Sequence, residues 1–238
     1  MDNSIYTTLT RQTGLMAEMR SVANNVANAS TTGYRAESVT FAEHISNLGA
    51  GHRSLSMATS AVRQTSVLQG ALTNTGGTFD LAIEGEGYFL IQTPNGERLT
   101  RAGAFLPDAN GDLVTVNGHQ VLDAGGSPVF VPPGAKSIGI APDGTLSADG
   151  QPMAQIGIVA PNNPQDIIRE DGSRFRVENG YTPVTDPHVV QGYLEESNVN
   201  PIEQITRMIE VQRAYELGQN FADKEDERIR GVIRTLGR

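Results

Sequence analysis

The chain contains no cysteine, and only 5% of its 238 residues are aromatic. Without cysteine there is no disulfide, no thiolate metal site and no sulfur nucleophile, a composition that suits a protein leaving the cytoplasm without oxidative folding. Positive charge is scarce as well: 18 Lys and Arg stand against 27 Asp and Glu, a formal net charge of -9. Nucleic-acid phosphates are bound through clustered Lys and Arg, so a nucleic-acid partner is not expected. No stretch reaches the roughly 18 apolar residues of a membrane span, and direct membrane insertion is not expected. The first twenty residues lack the basic segment and apolar run of about 7–15 residues that mark a Sec-type signal. The expected location is the cytoplasm, or outside it by a route that cleaves no signal. The length is sufficient for one large or two modest domains with an apolar core.

Recognisable chemistry is also missing. His44, His52, His119 and His188 are scattered without ligand spacing and read as solvated or loosely packed side chains. Asp108–Leu113, "DANGDL", superficially looks like a calcium loop, but its sixth position is Leu113 rather than Gly and its twelfth is His119 where Glu is required. It reads as a turn. Gly85-Glu86-Gly87 is a lone GxG between strands, suited to close packing or a bulge rather than to a dinucleotide. Asn28-Ala29-Ser30 matches a glycosylation sequon but lies at a helix end with no secretory signal before it. No catalytic, cofactor-binding or metal residue is nominated, no cofactor is expected, and the chain does not read as an enzyme.

What is present is a helix at each end. Ile5, Leu9, Gln12, Met16, Met19, Ala23 and Val26 alternate at intervals of four and three, with Leu15 and Val22 beside them, which predicts a helix of about 25 residues. Asp2 or Asn3 can cap it, and Ser30-Thr31-Thr32-Gly33 ends it. In "VANNVANASTTGYR" three amides, Asn24, Asn25 and Asn28, crowd its last turns although asparagine is a poor interior helix residue. They can simply face water. On so small-residued a face they are better suited to hydrogen bonding across a helix interface.

At the other end Asn200 can cap, Pro201 takes the first helical position and Glu203 stands where a capping-box return forms. The seam runs Ile205, Met208, Gln212, Tyr215, Gln219, Ala222, Asp226, Ile229, Ile233 and Leu236. Glu203 with Arg207 and Asp226 with Arg230 stand at i,i+4, and Arg234 and Arg238 lie near the negative end of the helix dipole. Three central turns of one heptad position are polar, which costs stability but fixes register and partner. The two helices can pair as an antiparallel or parallel coiled coil, and neither seam is rich enough in large apolar residues to be settled without neighbours.

Residues 36–77 show no helical period and read as extended chain with short strands. From Thr78 apolar and polar residues alternate, punctuated by Asn95-Gly96, Asn110-Gly111, Asn117-Gly118, Asp143-Gly144, Asp149-Gly150, Asp171-Gly172 and Asn179-Gly180. Such spacing predicts an all-β domain. The expected fold class is α+β: an all-β central domain, sandwich or barrel-like, over 78–190, flanked by an N-terminal helix and extended segment (1–77) and a C-terminal helix (191–238).

"MRSVANNVANASTTGYRAE" resembles the N-terminal motif of the bacterial flagellar rod, hook and hook-associated axial proteins. "GYLEESNVNPIEQITRMIEVQRAYELGQNFADKEDERI" resembles their C-terminal motif, and "FDLAIEGEGYFLIQTPNGERLTRAGAFLPDANGDLVTVNGHQVL" is similar to the β module of rod and hook subunits. The resemblance covers most of the chain and its three motifs stand in the right order; Val26 stands where Leu is commoner. Within the family, Met1-Asp2-x-x-Ile5-Tyr6-Thr7, the run Asn28–Thr31 and the short chain fit a proximal rod subunit, with a distal rod or hook-type subunit as the alternative.

The resemblance implies a structural subunit of the basal-body rod in the periplasmic space. It implies export unfolded through the flagellar type III machinery and polymerisation with other rod subunits, or with itself, through the terminal helices. The interface residues nominated on seam and motif together are Ile5, Leu9, Met16, Met19, Val22, Asn24, Asn25, Val26, Asn28, Gly33, Tyr34, Asn198, Ile205, Met208, Gln212, Arg213, Tyr215, Gln219, Ile229 and Ile233. Apart from the resemblance, a secreted β-rich adhesin with a helical stalk accounts for the same pattern.

Overall fold

The computed structural model describes residues 2–46 and 55–236, with side chains for 8–40 and 63–235. The sequence expectations for Asp2, Asn3, Ile5, His44, His52, Leu236 and Arg238 fall outside the described side chains. The chain divides into two compact units, one of Met1–Ala27, Glu37–Gln64 and Asn200–Arg238, the other of Asn28–Ala36 and Thr65–Val199. Residues 28–36, 65–77 and 191–199 thus pack with the β-rich unit.

The first unit holds two helices, α1 (Asp2–Ala27) and α2 (Pro201–Leu236), and a two-stranded sheet of Glu37–Ser46 with Leu55–Thr65. These are longer strands than the expected short pieces. In α2 the Asn200 side chain caps the helix by accepting from the Ile202 N–H at 3.1 Å, and Pro201 follows at the first position, where its missing N–H costs nothing. Among the described residues Glu203 makes no capping-box return. The helices pack against each other in antiparallel sense: Gln12 Nε2 donates to Gln219 Oε1 at 3.3 Å, Arg207 Nε to Glu18 Oε1 at 2.6 Å, and Asn25 Nδ2 to Gln204 Oε1 at 3.0 Å.

This pairing shifts the expected seam. The more buried residues of α2 are Gln204, Met208, Val211, Tyr215, Gly218, Ala222, Glu225 and Ile229, again a four-three alternation, while Ile205, Gln212, Gln219, Asp226 and Ile233 are exposed. One heptad position of the predicted seam is therefore replaced by its neighbour, and the polar turns lie at the edge of the helix pair. The expected Glu203–Arg207 pair is also corrected, because the guanidinium of Arg207 binds Glu18 and Glu210 instead. Asp226 and Arg230 do pair, at 2.9 Å.

The second unit is all-β. Its largest sheet runs, in spatial order, Ile167–Asp171, Arg174–Val177, Gly96–Thr100, Tyr88–Thr93, Gln120–Val121, Leu113–Thr115 and Phe105–Pro107; Ile158–Pro161 joins Tyr88–Thr93 to Tyr181–Pro183. Ile138–Ile140, Thr145–Ala148 and Gln151–Gln155 form a separate three-stranded sheet, and His188–Gln191 pairs with Leu81–Glu84. Leu72–Asn74 pairs with Tyr193–Glu195, so strand structure extends on both sides of the predicted 78–190. All these pairs are antiparallel.

The expected turns lie where the sequence places them. Pro94-Asn95 closes the first hairpin with Gly96 at φ +101°, and Asp149-Gly150, at φ 50° and 80°, makes the two-residue turn whose both centres need positive φ. The strand Tyr88–Thr93 departs from simple alternation because both its faces are buried. Phe89 and Ile91 enter one apolar cluster with Leu81, Phe105 and Leu146, whereas Tyr88 and Leu90 enter a second with Leu99, Val159 and Phe175. Edge-to-face rings, Phe89 on Phe105 at 5.1 Å and Tyr88 on Phe175 at 5.7 Å, fix the two clusters.

Candidate functional site

In the helical unit the nominated residues separate into two sets. Val22 is buried, and Met19, Val26, Met208, Tyr215 and Ile229 are partly buried along the helix pair. Leu9 (57% exposed), Met16, Asn24, Ile205 (50%), Gln212, Arg213, Gln219 and Ile233 (65%) face outward. Ile202 at 77%, Leu217 at 70% and Phe221 at 53% add to the outer face of α2. The helix pair thus buries one apolar stripe within the chain and leaves further large apolar side chains in water, each withholding about 1.5–3 kcal/mol of burial energy.

Asn25 belongs to the inner set. It is 1% exposed; its Nδ2 donates to the Glu37 carbonyl at 2.7 Å and to Gln204 Oε1, and its Oδ1 accepts from the Glu37 N–H at 2.8 Å. One amide therefore ties α1, the first strand and α2 together. The Ser21 hydroxyl donates to the same carbonyl at 3.0 Å. Asn24, one residue earlier, is exposed, and Asn28 is part-buried at the end of the turn, accepting from the Thr31 hydroxyl at 3.2 Å.

Gly33, Tyr34 and Asn198 lie in the β-rich unit. Gly33 has φ +68°, its N–H donates to the Glu195 carbonyl at 2.7 Å, and a Cβ there would sit 2.3 Å from the Arg101–Ala102 backbone. Only glycine fits that approach. Tyr34 is 1% exposed, with the Arg169 guanidinium 4.4 Å above its ring. Asn198 accepts from the Ala36 N–H at 2.6 Å and donates to Ser66 Oγ at 3.2 Å and the Leu68 carbonyl at 2.7 Å. The two family-like motifs therefore meet through backbone hydrogen bonds inside this unit.

Beside them is a cluster that the sequence reading did not nominate. Arg35 Nη2 binds Glu195 Oε1 at 2.9 Å, and Arg101 Nη1 binds Glu195 Oε2 at 3.1 Å; all three side chains are at most 3% exposed. Arg35 also donates to the carbonyls of Val67 and Leu68, Arg101 to those of Ile83 and Gly85, and Glu195 accepts from the Gly70 N–H. Burial, and then the nearby charge of Arg35, pull the Arg101 pKa down, opposed by Glu195. Arg35, Arg101 and Glu195 each stand within one of the three quoted motifs, in "GYR", "LTRAG" and "GYLEE", and that was the available signal.

Asp108 Oδ1 accepts from the N–H groups of Asn110 and Asp112 at 2.8 and 2.9 Å, which closes a turn. Gly87 packs so closely that a Cβ would meet Ile158 at 2.8 Å. His188 pairs with Glu84 at 2.9 Å on the surface.

The chain thus consists of a helical unit, built from its two terminal helices and a two-stranded sheet, and an all-β unit in which Gly33 and Asn198 hold the two family-like motifs together. Three family models match it: "Flagella basal body rod protein" over residues 5–35, "Flagellar hook protein FlgE/F/G D1 domain" over 82–148, and "Flagellar basal body rod FlgEFG protein C-terminal" over 190–234. Flagellar basal-body rod protein FlgF of Mesorhizobium japonicum is 38% identical over 244 residues, covering 100% of this chain and 99% of the relative. The FlgF of Caulobacter vibrioides is 38% identical over 245 residues with the same coverage, and the FlgG of Bacillus subtilis 30% over 264 residues, 98% of each chain. The chain belongs to the flagellar basal-body rod protein family, whose members are structural, non-enzymatic subunits. Within it the sequence is most like FlgF. Membership sets aside the adhesin reading.

Proposed function

We propose that this rod subunit polymerises through the outer faces of α1 and α2, as part of the proximal rod that transmits torque between motor and hook. The observation that carries the reading is the set of exposed large apolar side chains: Leu9, Ile202, Ile205, Leu217 and Ile233 are half exposed or more on helices already paired within the chain. A heterologous contact through these side chains that does not close on itself extends into a helical array. The central seam polarity of Gln212, Gln219 and Asp226, exposed at the edge of the helix pair, then sets register between subunits.

In this reading the terminal helices are the polymerising, coiled-coil-like part and the β-rich unit the outer part. The partners are other rod subunits, and the protein reaches the periplasmic space unfolded through the type III export machinery without losing a signal peptide. Asn25 serves this function indirectly, by holding the helix pair in shape, and Asn24 stands on the outer face.

The test is Leu9→Glu together with Ile205→Glu in the full chain, expressed in a strain lacking the protein. Loss of motility and basal bodies that stop before the distal rod, seen by electron microscopy, is the expected result. Normal swimming with intact basal bodies would remove these side chains from the interface.

A further inference from the structure

The β-rich unit contains a cavity of about 340 Å³ whose inner wall includes Arg101 and Tyr88 and whose rim carries Val67 and Leu68. Arg101 and Tyr88 are 3% and 6% exposed, whereas Val67 and Leu68 are 66% and 72% exposed. An apolar entrance thus leads to a cationic wall. The charges behind that wall do not balance: Arg35 and Arg101 face the single carboxylate Glu195, and among the described residues Nε of both guanidiniums has no hydrogen-bond partner. A net positive charge at and behind the cavity wall favours an incoming carboxylate, and the attraction strengthens as water leaves the site. Glu86, on the rim, is exposed, so solvent screens it.

We propose that this cavity receives the first turn of α2, Ile202 with Glu203, from a second copy of this chain. Among the described residues Ile202 is the most exposed large apolar side chain, at 77%, and Glu203 beside it is exposed and without a counter-ion. Its i+4 neighbour Arg207 is already held by Glu18 and Glu210. The complementarity is twofold: Ile202 covers Val67 and Leu68, and the Glu203 carboxylate faces the Arg101 side of the cavity. This assignment rests on the reading that the outer face of α2 meets other subunits, and it names what that face meets.

Because the chain lacks cysteine, single-cysteine variants report the contact directly. Full-length Val67→Cys and Ile202→Cys chains of distinguishable mass are mixed at high concentration and oxidised. The mixed disulfide is expected to form roughly tenfold or more faster than that between Ile202→Cys and a control at exposed Ala109, through local concentration. Adding Glu203→Lys to the Ile202→Cys chain is expected to abolish the excess, and 1 M salt to reduce it. A mixed disulfide no faster than the control overturns the proposal. If Ile202→Cys then still links to Ile205→Cys of another copy, the outer face of α2 remains an interface and the cavity assignment alone fails; no excess linkage at any position rejects both.

Discussion

The side-chain amide of Asn25 in α1 grips the backbone of Glu37 from both sides, donating to its carbonyl at 2.7 Å and accepting from its N–H at 2.8 Å. The pairing is the one a β-strand neighbour would make, supplied here by a helix. It explains an asparagine in the last turns of a helix, where intrinsic propensity disfavours it.

Asn25→Ala therefore leaves a buried N–H and C=O of Glu37 with one fewer partner each and is expected to cost about 2–4 kcal/mol. Faster amide exchange at Glu37, with loss of α-helical circular dichroism on mild denaturation, checks it. An unchanged exchange rate would mean that the strand holds itself.

Gly33→Ala is expected to destabilise the β-rich unit by about 2 kcal/mol or more, since it adds both left-handed strain and a methyl group against the Arg101–Ala102 backbone. Thermal unfolding followed at the tyrosine signal reads it. Gly76→Ala is the control: it shares the positive φ but has open space around its Cβ position, and it should cost less.

Glu195→Gln removes the anion between Arg35 and Arg101 without changing its size. Two buried guanidiniums then repel with little screening by solvent, and a loss of about 3–5 kcal/mol is expected, read as a fall in the denaturant midpoint.

Tyr181 provides a pH signature. Its hydroxyl donates to Glu97 Oε2 at 2.6 Å, and burial followed by that hydrogen bond push its pKa up to about 12. The folded chain then holds the proton more tightly than the unfolded one, whose tyrosine titrates near 10. The contribution is complete below pH 10 and is lost as pH rises towards 12. Tyrosinate absorbance should show a late component that Tyr181→Phe diminishes, the remainder belonging to Tyr88, whose pKa burial also raises; a titration curve unchanged in its late part would contradict it.

Much of the fold was legible because local rules decide it. The cap at Asn200-Pro201, the turn at Asp149-Gly150 and the left-handed Gly33 depend on backbone conformations that few residues accept, although α1 itself ends at Ala27, before the expected Ser30–Gly33 stop. The seam was legible only in part. A four-three alternation identifies an apolar stripe but cannot tell Ile205 from Val211, when both belong to overlapping stripes on one helix and the sequence does not say which faces the partner within the chain.

The asparagine cluster shows the same division. By itself the sequence determined that "VANNVANASTTGYR" ends a helix, that a glycine must turn the chain there, and that the family is the flagellar axial one. Only the tertiary structure decided that Asn25 turns inward to Glu37 while Asn24 faces out, and that Arg35, Arg101 and Glu195 converge. Those outcomes depend on residues 12 to 160 positions apart in the chain, brought together by packing. Spacing along one helix carries the direction of a side chain, and the neighbour it meets is set by the rest of the fold.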